Sequence, residues 1–258
     1  MAIERRTFLK YAVAGCACCA LPGLAGADEH AAPHWSYEGA TGPDHWSGLS
    51  PEFQACRLGT QQTPVDLSSV LTGEASIAVD YRPAPLRLVN NGHTVEAAAC
   101  PDCAVTIDGT RYGLAQFHFH HPSEHLIDGK AFDMEAHLVH RSAEGSLAVV
   151  GVFMKAGAHN TALGALFDHL PQDEGREVLL AERFDPAALL PANRSGFRYM
   201  GSLTTPPCSE GLVWTVFREP IEVSPDQIRT FAALFPNNAR PVQRTSDQLL
   251  QAGELRHR

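Results

Sequence analysis

"QFHFHHPSEH", Gln116 to His125, holds four histidines in ten residues, and "MEAHLVH" follows at Met134 to His140. Read as a strand, "LAQFHFH" alternates its side chains. Gln116, His118 and His120 then share one face, and Phe117 and Phe119 share the other. Between the two stretches, Asp128-Gly129 is a strong hairpin signal. If these are the two central residues, His120 lies opposite His137 and His118 opposite Val139. Glu135, His137 and Val139 then join the face of Gln116, His118 and His120. Ala136, Leu138 and His140 go to the other face. Pro122 has no N–H for the ladder, so the register is only a guide.

Three imidazoles converge in this arrangement. Gln116 and Glu135 are placed to accept from two of them and fix their tautomers. Three neutral histidines leave a fourth tetrahedral position open, as in catalytic rather than structural zinc sites. Nickel or copper also suits imidazole. An isolated HxH pair is weak evidence, since such histidines are usually exposed or part of the core. The facing strand with both polar partners is much more specific. There is no HExxH, which disfavours a zincin-type protease.

Working outward, "ASIAVDY", "LRLVNNGHTVEAAA", "AVTIDGTRYGLAQFHFH", "MEAHLVHR", "LAVVGVFMKAG" and "LVWTVFREPIEV" read as strands. Two stretches read as helices. "NTALGALFDHL" has helical apolar spacing, and "SPDQIRTFAALF" starts with Ser224 as N-cap and Pro225 at the first helical position. Glycine and proline are scattered evenly, without repeat or linker. The fold class is therefore α+β, mostly β. The 258 residues are 44% hydrophobic, enough for one large core, and the net charge of -9 disfavours nucleic acid as a partner.

The N-terminus reads as an export signal. Arg5-Arg6, Phe8-Leu9-Lys10, an apolar run to Leu24 and Ala25-Gly26-Ala27 resemble a twin-arginine leader cleaved after Ala27. The run is too short to span a bilayer comfortably and contains Pro22. Lipidation at Cys16 ranks below cleavage. Residues 1–27 are thus the signal and 28–258 the folded domain, periplasmic or secreted. Seven cysteines then fall to four: Cys56, Cys100, Cys103 and Cys208. An even number in an oxidising compartment favours two disulfides, with three pairings open. Cys100 and Cys103 flank a turn that can close on itself, which would leave Cys56 with Cys208. A redox-active CPDC motif is the sharper alternative, but no βαβ pattern surrounds it.

"QFHFHHPSEH", "MEAHLVH", "NNGHTVE" and "GSLTTPPCSEGLVW" together resemble the α-class carbonic anhydrases, particularly the exported bacterial type. "HWSYEGATGPDHW", "QQTPVDL", "LAVVGVFMKAG" and "RPVQ" extend the resemblance over about residues 34–245. It implies a single domain on a large twisted, mainly antiparallel sheet with a few peripheral helices. It implies reversible hydration of carbon dioxide to bicarbonate and a proton by zinc-bound hydroxide, with His118, His120 and His137 as the Zn2+ ligands. Zinc lowers the pKa of its water from about 15.7 to about 7, a magnitude known for carbonic anhydrases themselves.

The same resemblance assigns further roles. Thr204 accepts the hydroxide's hydrogen bond and donates to Glu124. Val139, Val149, Leu203 and Trp214 match the apolar wall for carbon dioxide, with Thr205 beside them. His93 matches a proton shuttle, with Tyr37, Asn91 and Glu96 ordering cavity water. Glu96 stands where a neutral amide is usual, and its charge is expected to raise the His93 pKa. His121 follows a ligand but faces away. His125 and His140 match structural histidines. Cys56–Cys208 matches the disulfide of exported bacterial members, and Cys100–Cys103 looks like an added local staple. The resemblance also implies inhibition by sulfonamides or anions, and a homodimer. The competing readings are a carbonic anhydrase-like zinc-binding module without hydration activity, a zinc-dependent esterase, and a periplasmic metal-binding protein.

Overall fold

The computed structural model describes residues 33–67, 77–98, 100 and 102–244. The expected export signal at residues 1–27, with Cys16, lies outside the described residues. Twelve strands are present among the described residues: β1 Asp66–Leu67, β2 Ile77–Asp80, β3 Ala84–Asn90, β4 Val95–Ala98, β5 Ala104–Ile107, β6 Thr110–His120, β7 Leu126–Ile127, β8 Met134–Ser142, β9 Leu147–Ala156, β10 Glu177–Phe184, β11 Gly196–Ser202 and β12 Glu210–Val223. Ten of them form one sheet in the order β10-β3-β4-β6-β8-β9-β12-β11, with β5 also on β6 and β2 on β5. Only β9 and β12 pair parallel within it. The expected mostly-β domain on a mainly antiparallel sheet is what the chain forms. Among the described residues, no helix is long and apolar enough to cross a membrane.

The aromatic backs of the histidine strand explain its central place. Phe117 and Phe119 are fully buried, in a cluster with Leu138, Val150 and Val152. Two helices cover this face. α1, Thr161–Phe167, and α2, Pro225–Ala232, add Leu163, Leu166, Phe167 and Phe231 to the same cluster. Truncating such a phenylalanine typically costs about 3–5 kcal/mol. α2 starts with a capping box: the Ser224 hydroxyl accepts from Gln227 N–H, and the Gln227 side chain accepts from Ser224 N–H.

The Asp128-Gly129 turn forms as expected. Both residues have positive φ, 50° and 74°, and Ile127 and Lys130 exchange backbone hydrogen bonds. The register above it differs from the expectation. His118 pairs with His137, His120 with Glu135, and Gln116 with Val139. From the Ile127–Lys130 pair to the His120–Glu135 pair, one arm runs seven residues and the other five. The extra residues lie in the arm containing Pro122, which leaves the ladder where β7 turns to pair with β1. A slip of two preserves which face each side chain takes, so the face assignment stands.

Besides the two-residue β1 and β7, two longer strands escape the sequence pattern. β10 pairs only with β3, and its burial does not alternate; Leu179 is 72% exposed. β11 is short and buried on both faces, with Phe197 and Tyr199 inside. Neither carries the period-two signal of a half-buried strand.

Candidate active site

Each of the three histidines has one ring nitrogen engaged. His118 Nδ1–H donates to Gln116 Oε1 at 2.8 Å. His120 Nδ1–H donates to the Asn238 carbonyl at 2.7 Å. His137 Nε2–H donates to Glu135 Oε1 at 3.0 Å. The anticipated partners Gln116 and Glu135 are both in place. Asn238 was not foreseen, because a backbone carbonyl in a loop leaves no side-chain signal. One ligand atom from each histidine lies within 4.8 Å of the others.

His120 Nε2 is buried and has no hydrogen-bond partner among the described residues. A buried imidazole nitrogen left unpaired is costly. A metal ion resolves that cost, and three neutral imidazoles are the donor set of an open zinc site. The residues therefore fit a metal. Burial lowers the pKa of all three rings, and their mutual repulsion adds to it for His118 and His137. They stay neutral near pH 7, as ligation requires.

A second group, His125, Glu135 and His137, also lies close together. Its atoms are already hydrogen-bonded. His125 Nδ1–H donates to Glu135 Oε1 at 2.7 Å, and the N–H groups of Glu124 and His125 donate to Oε2 at 3.0 and 2.9 Å. Burial works against the charge on Glu135, but His125 and His137 outweigh it and hold the pKa well below the usual carboxylate range. The Tyr199 hydroxyl completes the network at 2.6 Å from His125 Nε2. Glu135 is thus a buried anchor that orients two rings at once.

Glu124 is also buried. Its Oε1 accepts from Arg240 N–H at 2.8 Å, while Oε2 lies 3.6 Å from His120 Nε2 and 3.7 Å from His137 Nδ1. Burial pushes its pKa up to about 7, against the pull of His137, the Arg240 N–H and Thr204. The Thr204 side chain thus approaches this carboxyl, although Oε2 has no hydrogen bond of good geometry.

The loop carrying Thr204 is held from several sides. Thr63 and Ser202 exchange hydrogen bonds at 2.9 Å, Trp214 Nε1–H donates to Ser202 O, and Cys208 is bonded to Cys56. Leu203 and Thr205 flank Thr204, both half-buried. Val139, Val149 and Trp214 line up across β8, β9 and β12 by direct pairing. The Trp214 ring centre is 4.9 Å from that of His137, so this apolar row adjoins the histidines.

His93 occupies a turn between β3 and β4. Asn91 Oδ1 accepts from the N–H groups of His93 and Thr94, so this side chain closes the turn. The half-buried His93 ring stacks on Trp35, with centres 3.6 Å apart and planes 7° from parallel. Tyr37 packs edge-on against Trp35. Glu96 instead pairs across the sheet with His118. Burial and His34 lower the His93 pKa, and the Glu174 carboxylate acts against them without restoring it to its ordinary value. His121 points away, with Nδ1–H donating to Pro236 O at 2.9 Å. His140 is buried beside Tyr81 on the opposite face from the three ligand histidines, 2.7 Å from the Tyr81 hydroxyl. The second expected disulfide, Cys100–Cys103, is also formed.

Comparison with known proteins agrees with this geometry. The family described as eukaryotic-type carbonic anhydrase matches residues 41–252. A carbonic anhydrase of Nostoc sp. is 45% identical over 84% of this chain and 85% of its own length. One from Klebsiella pneumoniae is 42% identical over 82% of this chain and 88% of its own. The α-carbonic anhydrase of Thermovibrio ammonificans, solved with the inhibitor sulfanilamide, superposes with a TM-score of 0.81 at 43% identity, covering 84% of this chain and 97% of that one. With the family's fold and its histidine triad both present, the chain belongs to the α, or eukaryotic-type, carbonic anhydrases.

Proposed function

We propose that this carbonic anhydrase interconverts carbon dioxide and bicarbonate at a zinc ion held by His118, His120 and His137, with His93 exporting the proton. The observation that carries this reading is the triad itself: three buried or half-buried imidazoles, each with one nitrogen tied to a partner and the other available within 4.8 Å of its neighbours. Bound there, zinc supplies the Lewis acidity that ionises water near neutral pH.

The protein's part is orientation and proton handling. Gln116, Glu135 and Asn238 hold the three rings. With zinc bound, the Thr204 hydroxyl would accept a hydrogen bond from the reacting oxygen while donating its own O–H to the Glu124 carboxylate, which would orient that oxygen's lone pair toward the substrate. Val139, Val149, Leu203 and Trp214 offer carbon dioxide an apolar surface that water competes for poorly, with Thr205 at its edge. His93 takes the released proton through ordered water and delivers it to buffer. Its lowered pKa favours the neutral, accepting form at pH 7.

The two disulfides fit an oxidising compartment. We assign the route there to the twin-arginine-type segment of residues 1–27. Sulfonamides are expected to bind as anions at the metal. The test is carbon dioxide hydration by the purified mature protein, with and without chelator, and in His118→Ala. Activity that follows zinc supports the proposal. Bound zinc without hydration would favour a binding module.

A further inference from the structure

The turn that carries His93 is clamped by one loop, residues 171–176. Asn90 is buried at its base. Its side chain donates to the carbonyls of Pro171 and Gln172 at 3.1 and 3.4 Å. Its backbone accepts from Gly175 N–H at 2.7 Å and donates to Arg176 O at 3.2 Å. Gly92 N–H then donates to Asn90 Oδ1 at 3.0 Å. The loop and the turn are thus one hydrogen-bonded unit.

Glu174 sits at the tip of this clamp. Its carboxyl covers Gly92: a Cβ added there would lie 2.8 Å from Glu174 Cδ and Oε1. Gly92 also has φ of +83°, a conformation that L side chains rarely adopt. Glycine therefore serves the turn twice, by bending it and by letting the carboxylate approach. The next residue is His93. Its ring lies flat on Trp35, and its carbonyl accepts from Asn238 Nδ2 at 3.0 Å. Both sides of the histidine are fixed, so a carboxylate delivered to Gly92 stands at a defined place relative to the ring.

We propose that Glu174 is a positioning residue for proton release, whose carboxylate, seated on Gly92, stabilises the protonated form of the His93 imidazole. This rests on the reading of His93 as the shuttle. Charged groups acting on His93 include His34 from the N-terminal segment and Glu174 from the clamp loop; Trp35 and Asn238 contact it without titrating. Burial and His34 disfavour the imidazolium, and Glu174 opposes them. In each turnover His93 gains one proton from cavity water and loses one to a buffer base. Glu174 gains and loses none. Its effect is to balance the two half-steps: without it, the ring would release a proton readily but take one up poorly.

The experiment is an NMR titration of the His93 ring in the zinc-loaded enzyme, for wild type, Glu174→Gln, Glu174→Asp and Glu174→Lys. Removing a carboxylate that favours the imidazolium must lower the midpoint. The expected fall in Glu174→Gln is about half a pH unit, the scale of one solvent-screened charge pair. Glu174→Lys should roughly double it, and Glu174→Asp should restore the wild-type midpoint. The pH profile of kcat in weak buffer should move the same way. A purely structural role would leave the isosteric Gln variant at the wild-type midpoint. Equal midpoints in all four proteins, with His93→Ala still impaired in weak buffer, would remove the role of Glu174 alone. An unimpaired His93→Ala would remove the shuttle reading, and this inference with it.

Discussion

The three triad histidines and His93, the proposed proton shuttle, are held by opposite means. His118, His120 and His137 stand on β6 and β8, two long paired strands at the centre of the sheet, backed by buried aromatic residues. Their positions follow from backbone register. His93 stands in a rim turn, and its position follows from side-chain bonds to Asn91, a clamp from residues 171–176 and a stacked tryptophan. The first arrangement suits a ligand set that must not move. The second suits a group that must exchange protons with solvent and be tuned from nearby. Damage to the centre should therefore abolish function, while damage at the rim should only rescale it.

The largest effect is expected from His118→Ala. It removes a ligand while leaving the Phe117 and Phe119 packing intact, so hydration should fall on the order of a thousandfold or more, with loss of stoichiometric zinc. Retained zinc and full activity would break the division between centre and rim. Glu135→Ala strikes the same centre one layer out. It leaves the ring N–H groups of His125 and His137 and two backbone N–H groups without an acceptor. Unfolding free energy should drop by about 3–5 kcal/mol, and zinc affinity by roughly ten- to a hundredfold. Denaturant melts and metal titration read the two losses separately.

The disulfides sharpen the contrast in stability. Cys56–Cys208 spans 152 residues and anchors the loop of Thr204, whereas Cys100–Cys103 spans three. In the chain-entropy picture the first contributes about 5 kcal/mol and the second about 2 kcal/mol. Cys56→Ser with Cys208→Ser should thus cost more in a denaturant melt than the other pair of substitutions. Equal losses would show that the long loop is constrained by other contacts.

The smallest effect belongs to the rim. His93→Ala should lower kcat about a hundredfold in weak buffer, with kcat/KM little changed and imidazole restoring the rate. Burial lowers the His93 pKa, so in wild type the neutral acceptor persists below pH 6.5. Proton-limited turnover should fall only as pH drops through that lowered value, and this limb should be missing in the variant.

Much of the centre was legible in the residues. Strand alternation and one Asp-Gly turn put Gln116, His118, His120, Glu135 and His137 on a common face, and the structure keeps them there. The register was two residues off, because Pro122 and the β7 excursion lengthen one arm of the hairpin. The error did no harm to the site, since a slip of two conserves the face. Other parts left no local signal. Asn238 acts on His120 through a backbone carbonyl, which any residue could provide. Tyr199 and Arg240 reach the site from distant strands and loops, by contacts that alternation cannot reveal. Glu174 acts on His93 from a loop far along the chain, which no local pattern around His93 reveals. Edge strand β10 has one exposed face and no clean period, so its burial pattern was silent.

The proposed activity depends on a catalytic zinc held by the triad of His118, His120 and His137. The most direct measurement is zinc content against carbon dioxide hydration, followed through chelation and zinc restoration on one preparation. The expected result is one zinc per chain, loss of hydration in proportion to zinc removed, and recovery when zinc is returned. Hydration that persists in zinc-free protein, or fully zinc-loaded protein that does not hydrate carbon dioxide, would contradict it.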